Sequence, residues 1–288
     1  MTLSILYRGP LSSCNYSCNY CPFAKRKDSR ETLERDAAQL KRFITFVSEQ
    51  AGIQFKILFT PWGEALIRRY YQEAMVTLSL LPNVEKVAIQ TNLSCRLEWL
   101  NKADKSKLAL WTTYHPGETD RATFLSQCRQ LDELQVSYSV GVVGFKEVIP
   151  EIETLRAALP AETYLWVNAL KKQADYYTAE ETATLSAIDP YVVNNMIHYD
   201  SFGKNCKTGH SVISLDGDGN MYRCHFIKEK IGNIYTGDFT SALYPRTCTN
   251  ATCGCHIGYV HMDDLNLYEL YKGRELERIV PDRKPLSC

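Results

Sequence analysis

The sequence has no long hydrophobic run and no secretory signal. Within its 288 residues, no stretch approaches the ~18 consecutive apolar residues of a transmembrane helix. The apolar part of residues 1–8 is too short for a secretory signal, and no cleavage pattern follows it. We therefore expect a cytoplasmic protein that has no membrane partner.

The sequence also lacks net charge. Lys and Arg together number 33, as do Asp and Glu, so the formal charge is zero. Proteins that bind nucleic acid or anionic membranes through their phosphates need an excess of positive charge, so we expect neither partner here. No internal repeat or low-complexity segment is visible. A length of 288 residues suits one large domain with a small appendage.

Cysteine, in contrast, is abundant. The chain has 11 cysteines, which in a reducing compartment are expected to be metal ligands and buried thiols rather than disulfides. Three lie between positions 14 and 21 and five between positions 206 and 255. Their clustering predicts two separate metal sites.

The first group has the spacing Cys-x3-Cys-x2-Cys, formed by Cys14, Cys18 and Cys21. A cubane iron-sulfur cluster normally takes four thiolates, so three leave one iron open to another ligand. A zinc knuckle or half of a disulfide framework are the alternatives. The segment resembles the signature of the radical S-adenosylmethionine (SAM) enzymes. The resemblance implies a [4Fe-4S] cluster whose open iron chelates SAM and whose electron cleaves SAM to a 5'-deoxyadenosyl radical.

The first 200 residues alternate short β-rich runs with amphipathic helical stretches. Six strand-helix units in a row predict a parallel sheet with right-handed crossovers, with the chemistry at the carboxyl ends of the strands. We therefore predict an α/β fold, a partial (βα)6 TIM-type barrel. The expected strands are 3–7, 53–59, 84–91, 108–114, 136–143 and 164–170, and the expected helices are 31–49, 66–81, 96–104, 119–134, 147–158 and 178–188.

The ends of the predicted strands resemble, in order, the SAM-binding segments of the same family. Gly63-Glu64 stands where the family has Gly-Gly-Glu, with Trp62 replacing the first glycine, and Thr91-Asn92 stands for Thr-Asn-Gly, with Leu93 as the third residue. The resemblance implies that the SAM-contacting residues are Gly63, Glu64, Thr91, Asn92, Thr113, His115, Val142, Gly144 and Asn168. For His115 a structural role, and for Asn168 a turn, are equally compatible with the sequence.

The second group of cysteines comprises Cys206, Cys224, Cys248, Cys253 and Cys255. The first two are expected to lie on a predicted hairpin whose strands are residues 212–215 and 221–224. This pattern is similar to the Twitch domain, or the longer SPASM domain, that holds auxiliary clusters in many radical SAM enzymes. It implies one auxiliary [4Fe-4S] cluster with one cysteine to spare or an open iron, and zinc is the alternative. We predict a barrel domain over 1–200 and a Twitch-like domain, hairpin plus helix, over 201–288.

The resemblance implies a radical SAM oxidoreductase that abstracts a hydrogen atom from a small-molecule or peptide substrate. Oxidation or crosslinking of the substrate is the expected outcome. A flavodoxin- or ferredoxin-type reductant is expected to supply the electron for SAM cleavage. The alternatives are a radical epimerase of a peptide or sugar, and a non-catalytic iron-sulfur or zinc-binding regulatory protein. The chain begins only a few residues before the first predicted strand, so we expect no fused leader-peptide-binding domain.

Overall fold

The computed structural model describes residues 1–23, 27–171, 173 and 175–281. Six strands alternate with helices in the first part of the chain: β1 Thr2–Arg8, β2 Gln54–Phe59, β3 Val84–Thr91, β4 Leu108–Tyr114, β5 Ser137–Gly144 and β6 Leu165–Ala169. The helices of this part are α1 Arg30–Glu49, α2 Arg69–Leu80, α3 Arg121–Glu133, α4 Ile149–Ala158, α5 Ala179–Ile188 and α6 Val192–Met196. The six predicted strands are confirmed.

The later part of the chain contains shorter elements. Its strands are β7 Tyr199–Asp200, β8 Asn205–Cys206, β9 Val212–Asp216, β10 Asn220–Tyr222, β11 Lys230–Asn233, β12 Arg246–Thr247 and β13 Thr252–Cys253. Its α-helices are α7 His256–Tyr259 and α8 Leu267–Tyr271. The predicted hairpin is confirmed, because β10 runs antiparallel to β9.

Nine of these strands form one sheet, in the order β11-β10-β9-β1-β2-β3-β4-β5-β6. Strands β1 to β6 are parallel to their neighbours. Strand β9 pairs in parallel with the free side of β1, where Ser4 lies opposite Val212. The hairpin that follows the barrel is therefore a continuation of the barrel sheet. Two small sheets, β8 with β12 and β7 with β13, carry the remaining strands.

The sheet is buried on both faces, as expected for parallel strands. Along β1, Leu3, Ile5 and Tyr7 pack with the helices in the larger core, whereas Leu6 points to the concave face. A second core fills this concave face, where Trp111 of β4 and Trp166 of β6 pack with side chains from the carboxyl-terminal part of the chain, between residues 257 and 280. The end of the chain thus covers part of the inside of the barrel.

One predicted helix is wrong. Residues 96–104 were expected to form an α-helix, but only Glu98–Lys102 is helical, as a 3-10 helix. Leu97 occupies its N-cap and makes no side-chain hydrogen bond to the helix. Leu97 and Leu100 are both buried, and a spacing of three residues places side chains on one face of a 3-10 helix, whose runs are short. Ser29 caps α1 by accepting a hydrogen bond from the backbone amide of Thr32 at 3.1 Å.

No helix of the described ranges is both long and apolar enough to cross a membrane. The predicted division of the chain at residue 200 stays a prediction, and residues 282–288 of the second predicted domain lie outside the described residues.

Candidate functional site

The three-cysteine loop leaves the carboxyl end of β1, at the edge of the sheet where the parallel strands all end. Asp28 holds the start of this loop. Its carboxylate accepts hydrogen bonds from the backbone amide and hydroxyl groups of both Ser12 and Ser13, at 2.7–2.9 Å. Asp28 could not be identified from the sequence, because an acidic residue shortly before a helix carries no motif of its own.

The three thiols of the loop lie near one another. Cys21 interacts electrostatically with both Cys14 and Cys18, and the backbone amide of Cys21 donates to the Cys18 carbonyl at 3.1 Å. Burial raises the pKa of the Cys14 and Cys18 thiols. Neutral thiols in this setting ionise when a metal group binds, because metal ligation requires the thiolate.

Among the residues that the structure describes, no three His, Cys, Asp or Glu side chains converge as ligands of one metal ion. The thiolates of a cubane cluster each bind a different iron, so they do not need to converge on a point. The four ligands of a structural zinc ion, in contrast, must converge on that one ion. Thiolate donors suit both kinds of metal group, so the cysteines of either group are compatible with an iron-sulfur cluster and with zinc.

Gly63 brings the loop after β2 directly against the cysteine loop. A Cβ atom at this position would lie 2.0 Å from the backbone oxygen of Ser13. The next residue, Glu64, donates its backbone amide to that same oxygen at 3.1 Å. Only glycine allows this approach of two backbones, so Gly63 has a steric role that is visible without any ligand.

Glu64 ties the end of β2 to the end of β3. Its carboxylate is only 2% exposed and accepts hydrogen bonds from the Thr91 hydroxyl at 2.9 Å and from the backbone amide of Asn92 at 2.6 Å. The amide of Leu66 donates to it as well, at 2.9 Å. Burial raises the pKa of Glu64 to about 7 despite these donors. The structure thus gives both Glu64 and Thr91 a positioning role within the protein.

Asn92 connects the end of β3 to the cysteine loop. Its side-chain amide lies 3.8 Å from the Cys14 sulfur and donates to the Asn15 side chain at 3.1 Å. Leu93, which replaces a glycine of the family pattern, has a φ of 58°, in the left-handed region that glycine favours. The backbone turn expected of glycine is therefore present although the residue differs.

His115, after β4, also contacts the cysteine loop. Its Nδ1 atom lies 2.8 Å from the Tyr20 hydroxyl and 3.5 Å from the Cys18 sulfur. Burial lowers the pKa of His115 to about 4, so the imidazole is neutral near pH 7. Thr113 is half-buried at the end of the same strand.

The other predicted residues lie on β5 and β6. Val142 is fully buried in the core between the sheet and the helices. The carbonyl of Gly144 accepts a hydrogen bond from the Tyr177 hydroxyl, and Asn168 is exposed. Phe145, which the sequence analysis missed, packs against Tyr20 with ring centroids 5.1 Å apart and so links β5 to the cysteine loop. Whether these residues contact SAM stays a prediction.

Four cysteines of the second group come together around the short strands. Cys206 ends β8 and Cys253 ends β13, while Cys248 directly follows β12 and Cys224 comes two residues after β10. Cys253 interacts electrostatically with all of these thiols, and burial, followed by their charges, raises its pKa to about 12. The Thr208 hydroxyl lies 3.2 Å from the Cys206 sulfur.

Cys255 is arranged differently. It precedes α7 and is exposed, and the charged groups that act most on it are Lys171, Arg278 and Arg8. Cys253 also interacts electrostatically with Cys255, so Cys255 lies close to the other four, and which of the five cysteines would bind a metal group stays a prediction. Both Cys206 and Cys224 were predicted to lie on the hairpin, but Cys206 lies on β8, which pairs with β12, and Cys224 comes two residues after β10. The two thiols nevertheless interact electrostatically.

This combination of a partial parallel barrel and a three-cysteine loop at its carboxyl edge has the fold of radical SAM enzymes. Native anSMEcpe with bound AdoMet and Kp18Cys peptide matches with a TM-score of 0.56 and 13% identity, over 84% of this chain and 80% of that chain. Native anSMEcpe with bound AdoMet and Cp18Cys peptide matches with a TM-score of 0.55 and 15% identity, over 100% of this chain and 92% of that chain.

A further structure, BtrN in complex with AdoMet and 2-DOIA, is 19% identical with a TM-score of 0.46, over 81% of this chain and 78% of that chain. No protein-family model matches the sequence, and no curated protein matches it. At these identities the solved structures establish the fold. The function has to be argued from the residues of the site.

Proposed function

We propose that this protein is a radical SAM enzyme that binds a [4Fe-4S] cluster through Cys14, Cys18 and Cys21. The observation that carries the proposal is the three-thiol loop, which is held at the carboxyl edge of the barrel and contacted by side chains from β3 and β4. When bound, the cluster and SAM supply an electron and a 5'-deoxyadenosyl radical that abstracts hydrogen from carbon. A fold shared with structures that contain AdoMet supports this proposal.

The surrounding residues orient the loop. Asp28 anchors its start, and the Gly63 backbone packs against it. Asn92 directs a side-chain N–H toward the Cys14 sulfur, and hydrogen bonds to cluster sulfurs raise the reduction potential. The neutral imidazole of His115 lies beside Cys18. These contacts fix the thiols before any cofactor binds, which is the preorganisation that a reaction centre needs.

The second cysteine group is proposed to hold an auxiliary [4Fe-4S] cluster through Cys206, Cys224, Cys248 and Cys253. An acceptor of this kind takes an electron from a substrate radical, and it therefore favours a two-electron oxidation or a crosslink. We propose a small-molecule or peptide substrate and a flavodoxin- or ferredoxin-type reductant. The cytoplasm is the proposed location, since the iron-sulfur chemistry needs reduced thiols.

Epimerisation is a second candidate, favoured by the exposed Cys255 beside the four grouped cysteines. Its S–H bond would give a hydrogen atom to the substrate carbon radical, forming a C–H bond and leaving a thiyl radical. One electron and one proton, with the electron from the reductant, would restore the thiol. Deuterium appearing at a substrate carbon during turnover in D2O would favour this reaction over oxidation.

The test of the proposed function is reductive SAM cleavage. The protein is reconstituted anaerobically with iron and sulfide, mixed with SAM and dithionite, and assayed for 5'-deoxyadenosine. Cys14→Ala, Cys18→Ala and Cys21→Ala should each abolish its formation. Cys128→Ala, which alters a buried thiol of α3, is the matched control and should retain it. Cleavage at the wild-type rate in the triple variant would refute the proposal.

A further inference from the structure

A groove with a positively charged lining lies on the surface beside the loop that follows β3. It has a volume of about 580 Å³ and is bounded by the start of α2 and by the 3-10 helix Glu98–Lys102. Its lining contains one anionic side chain, Glu98, and three cationic ones, Arg69, Arg96 and Lys102. The groove therefore carries net positive charge, although the formal charge of the whole chain is zero.

Two of these cations have no carboxylate partner. Arg96 and Lys102 are exposed, and in the described ranges neither forms an ion pair with Asp or Glu. Arg69, in contrast, pairs with Glu73 at 2.8 Å. Exposed cations that are not paired attract anionic groups of another molecule over a distance. The groove is thus suited to an acidic partner.

The groove also has an apolar part, formed by Ile67 and Trp99. Both side chains are half-buried, and Trp99 packs against the larger core, which holds it in place. Protein interfaces are enriched in tryptophan and arginine, and transient redox encounters bury less than about 1,200 Å². A tryptophan flanked by cations therefore gives this groove the composition of a small protein interface.

The groove adjoins the three-cysteine loop. Ser94 lies two residues before Arg96, and its hydroxyl accepts a hydrogen bond from the Asn15 side chain at 3.0 Å. Asn15 directly follows Cys14, and the side-chain amide of Asn92 lies 3.8 Å from the Cys14 sulfur. The segment 92–96 thus connects the groove to the first cysteine of the loop.

The cysteine loop is accessible from outside. Asn15, Ser17 and Asn19 are all exposed, whereas Cys18 is buried. A protein on this surface can therefore come close to the three thiols without entering the barrel. Electron transfer between two proteins becomes slower as the distance between their redox centres grows, so a position beside the loop favours it.

We propose that the groove formed by Arg69, Arg96, Trp99 and Lys102 is the docking surface for an acidic electron-carrier protein. The proposal rests on the proposed function, because it concerns electron entry at the three-cysteine loop. One electron leaves the reduced carrier and enters the oxidised cluster, from which SAM receives it, and no bond forms or breaks between the two proteins. Complementary charge speeds and orients such an encounter, and salt weakens it.

Binding is measured first, because it needs no catalytic turnover. The cluster-loaded protein is titrated calorimetrically with flavodoxin, an acidic flavoprotein, at low and at high salt. We expect high salt to weaken binding by about tenfold or more, and Arg96→Gln and Lys102→Gln each to weaken low-salt binding by about three- to tenfold. Lys41→Gln removes an exposed cation of α1 outside the groove and should bind like the wild type.

A carbodiimide identifies the contact directly, because it joins an amine to a carboxylate without a spacer. Peptide mass spectrometry should find Lys102 linked to an Asp or Glu of the carrier. Lys41→Gln should retain this link, and Arg96→Gln should form less of it. Links confined to lysines outside the groove would overturn the proposal.

The rate of 5'-deoxyadenosine formation separates docking from chemistry. Dithionite is a small reductant that needs no docking surface, so Arg96→Gln and Lys102→Gln should retain the wild-type rate with it. With limiting reduced flavodoxin, both variants should be severalfold slower. Equal losses with the two reductants, or no loss with either, would overturn the proposal, as would a wild type that binds neither flavodoxin nor a [2Fe-2S] ferredoxin.

Failure of the proposed function gives a different pattern. In that case the wild type would form no 5'-deoxyadenosine with dithionite. Salt-dependent binding of the carrier and its link to Lys102 would still report a surface for an acidic protein.

Discussion

At the scale of single residues, the site depends on a few buried polar contacts around the cysteine loop. Glu64 and Asn92 join the ends of β2 and β3 to that loop. Their sequence neighbours match the family pattern only loosely, since Trp62 and Leu93 stand at glycine positions. The structure explains one of these departures, because Leu93 keeps the left-handed backbone that a glycine would adopt.

Glu64→Gln should make stability less dependent on pH. Burial raises the folded-state pKa of Glu64 from 4.5 to about 7, so its stabilising contribution is fully present below about pH 4.5 and is lost as the pH rises through about 7. A glutamine does not titrate, and its NH2 group would face the Asn92 amide, at a cost of about 1–3 kcal/mol. The Tm of Glu64→Gln should be below that of the wild type at pH 5, and this difference in Tm should become smaller toward pH 8.

Thermal melting from pH 5 to pH 8 measures this difference. Glu73→Gln, an exposed α2 residue paired with Arg69, is the matched control and should shift the Tm little at any pH. If the difference in Tm between Glu64→Gln and the wild type grew as the pH rose, a raised pKa of Glu64 would be contradicted.

Asn92→Ala should lower the reduction potential of the first cluster. The substitution removes an N–H donor 3.8 Å from the Cys14 sulfur, and such donors stabilise the reduced, more negative cluster. A hydrogen bond of about 1 kcal/mol corresponds to a shift on the order of tens of millivolts. A redox titration followed by electron paramagnetic resonance measures it. Ser94→Ala, which removes the hydroxyl bonded to Asn15, is the control and should leave the potential near that of the wild type.

At the scale of elements, the strands of the barrel could be predicted closely from the sequence. Strands β3 and β4 have the predicted bounds, and the ends of the others differ by no more than one residue. Parallel strands buried on both faces give dense apolar runs that stand out between polar helices. The segment 96–104 shows the limit, because apolar residues three positions apart, such as Leu97 and Leu100, are compatible with both an α-helix and a 3-10 helix.

The candidate site could be predicted only in part, because a sequence pattern reveals only residues that lie close together along the chain. Cysteine spacing is local, so the two ligand groups could be identified from the sequence. The contact of Lys171 with Gly254 and the stacking of Arg278 on Trp166 join residues that are distant along the chain. No local pattern encodes such contacts. They depend on how the carboxyl-terminal segment enters the barrel.

The elements around the auxiliary cysteines allow a separate prediction. Cys206→Ala and Cys224→Ala should still generate 5'-deoxyadenosine but should stop product formation, because SAM cleavage needs only the first cluster. The two residues belong to the short strands and the hairpin, so their loss should leave strands β1 to β6 folded. Deoxyadenosine and product are measured separately once the substrate is known. Normal product yield without the second cluster would make that cluster structural and remove the main support for an oxidation.

At the scale of the whole molecule, the reconstituted protein should bind two [4Fe-4S] clusters, about eight irons per chain. Iron and sulfide analysis with Mössbauer spectroscopy measures this. A variant with Cys14, Cys18 and Cys21 all changed to Ala should retain about four irons, on the second cysteine group. Stoichiometric zinc on that second group would contradict the prediction.

The pairing of β9 with β1 also constrains how the chain folds. The free side of β1 stays unpaired until residues 212–216 have left the ribosome, so synthesis of the barrel ends well before its sheet is complete. Contacts between such distant parts of a chain slow folding, and an open strand edge invites aggregation in the meantime. The hairpin that carries Cys224 is thus also the element that closes this edge, and a nascent chain lacking it would depend on chaperones to remain unaggregated.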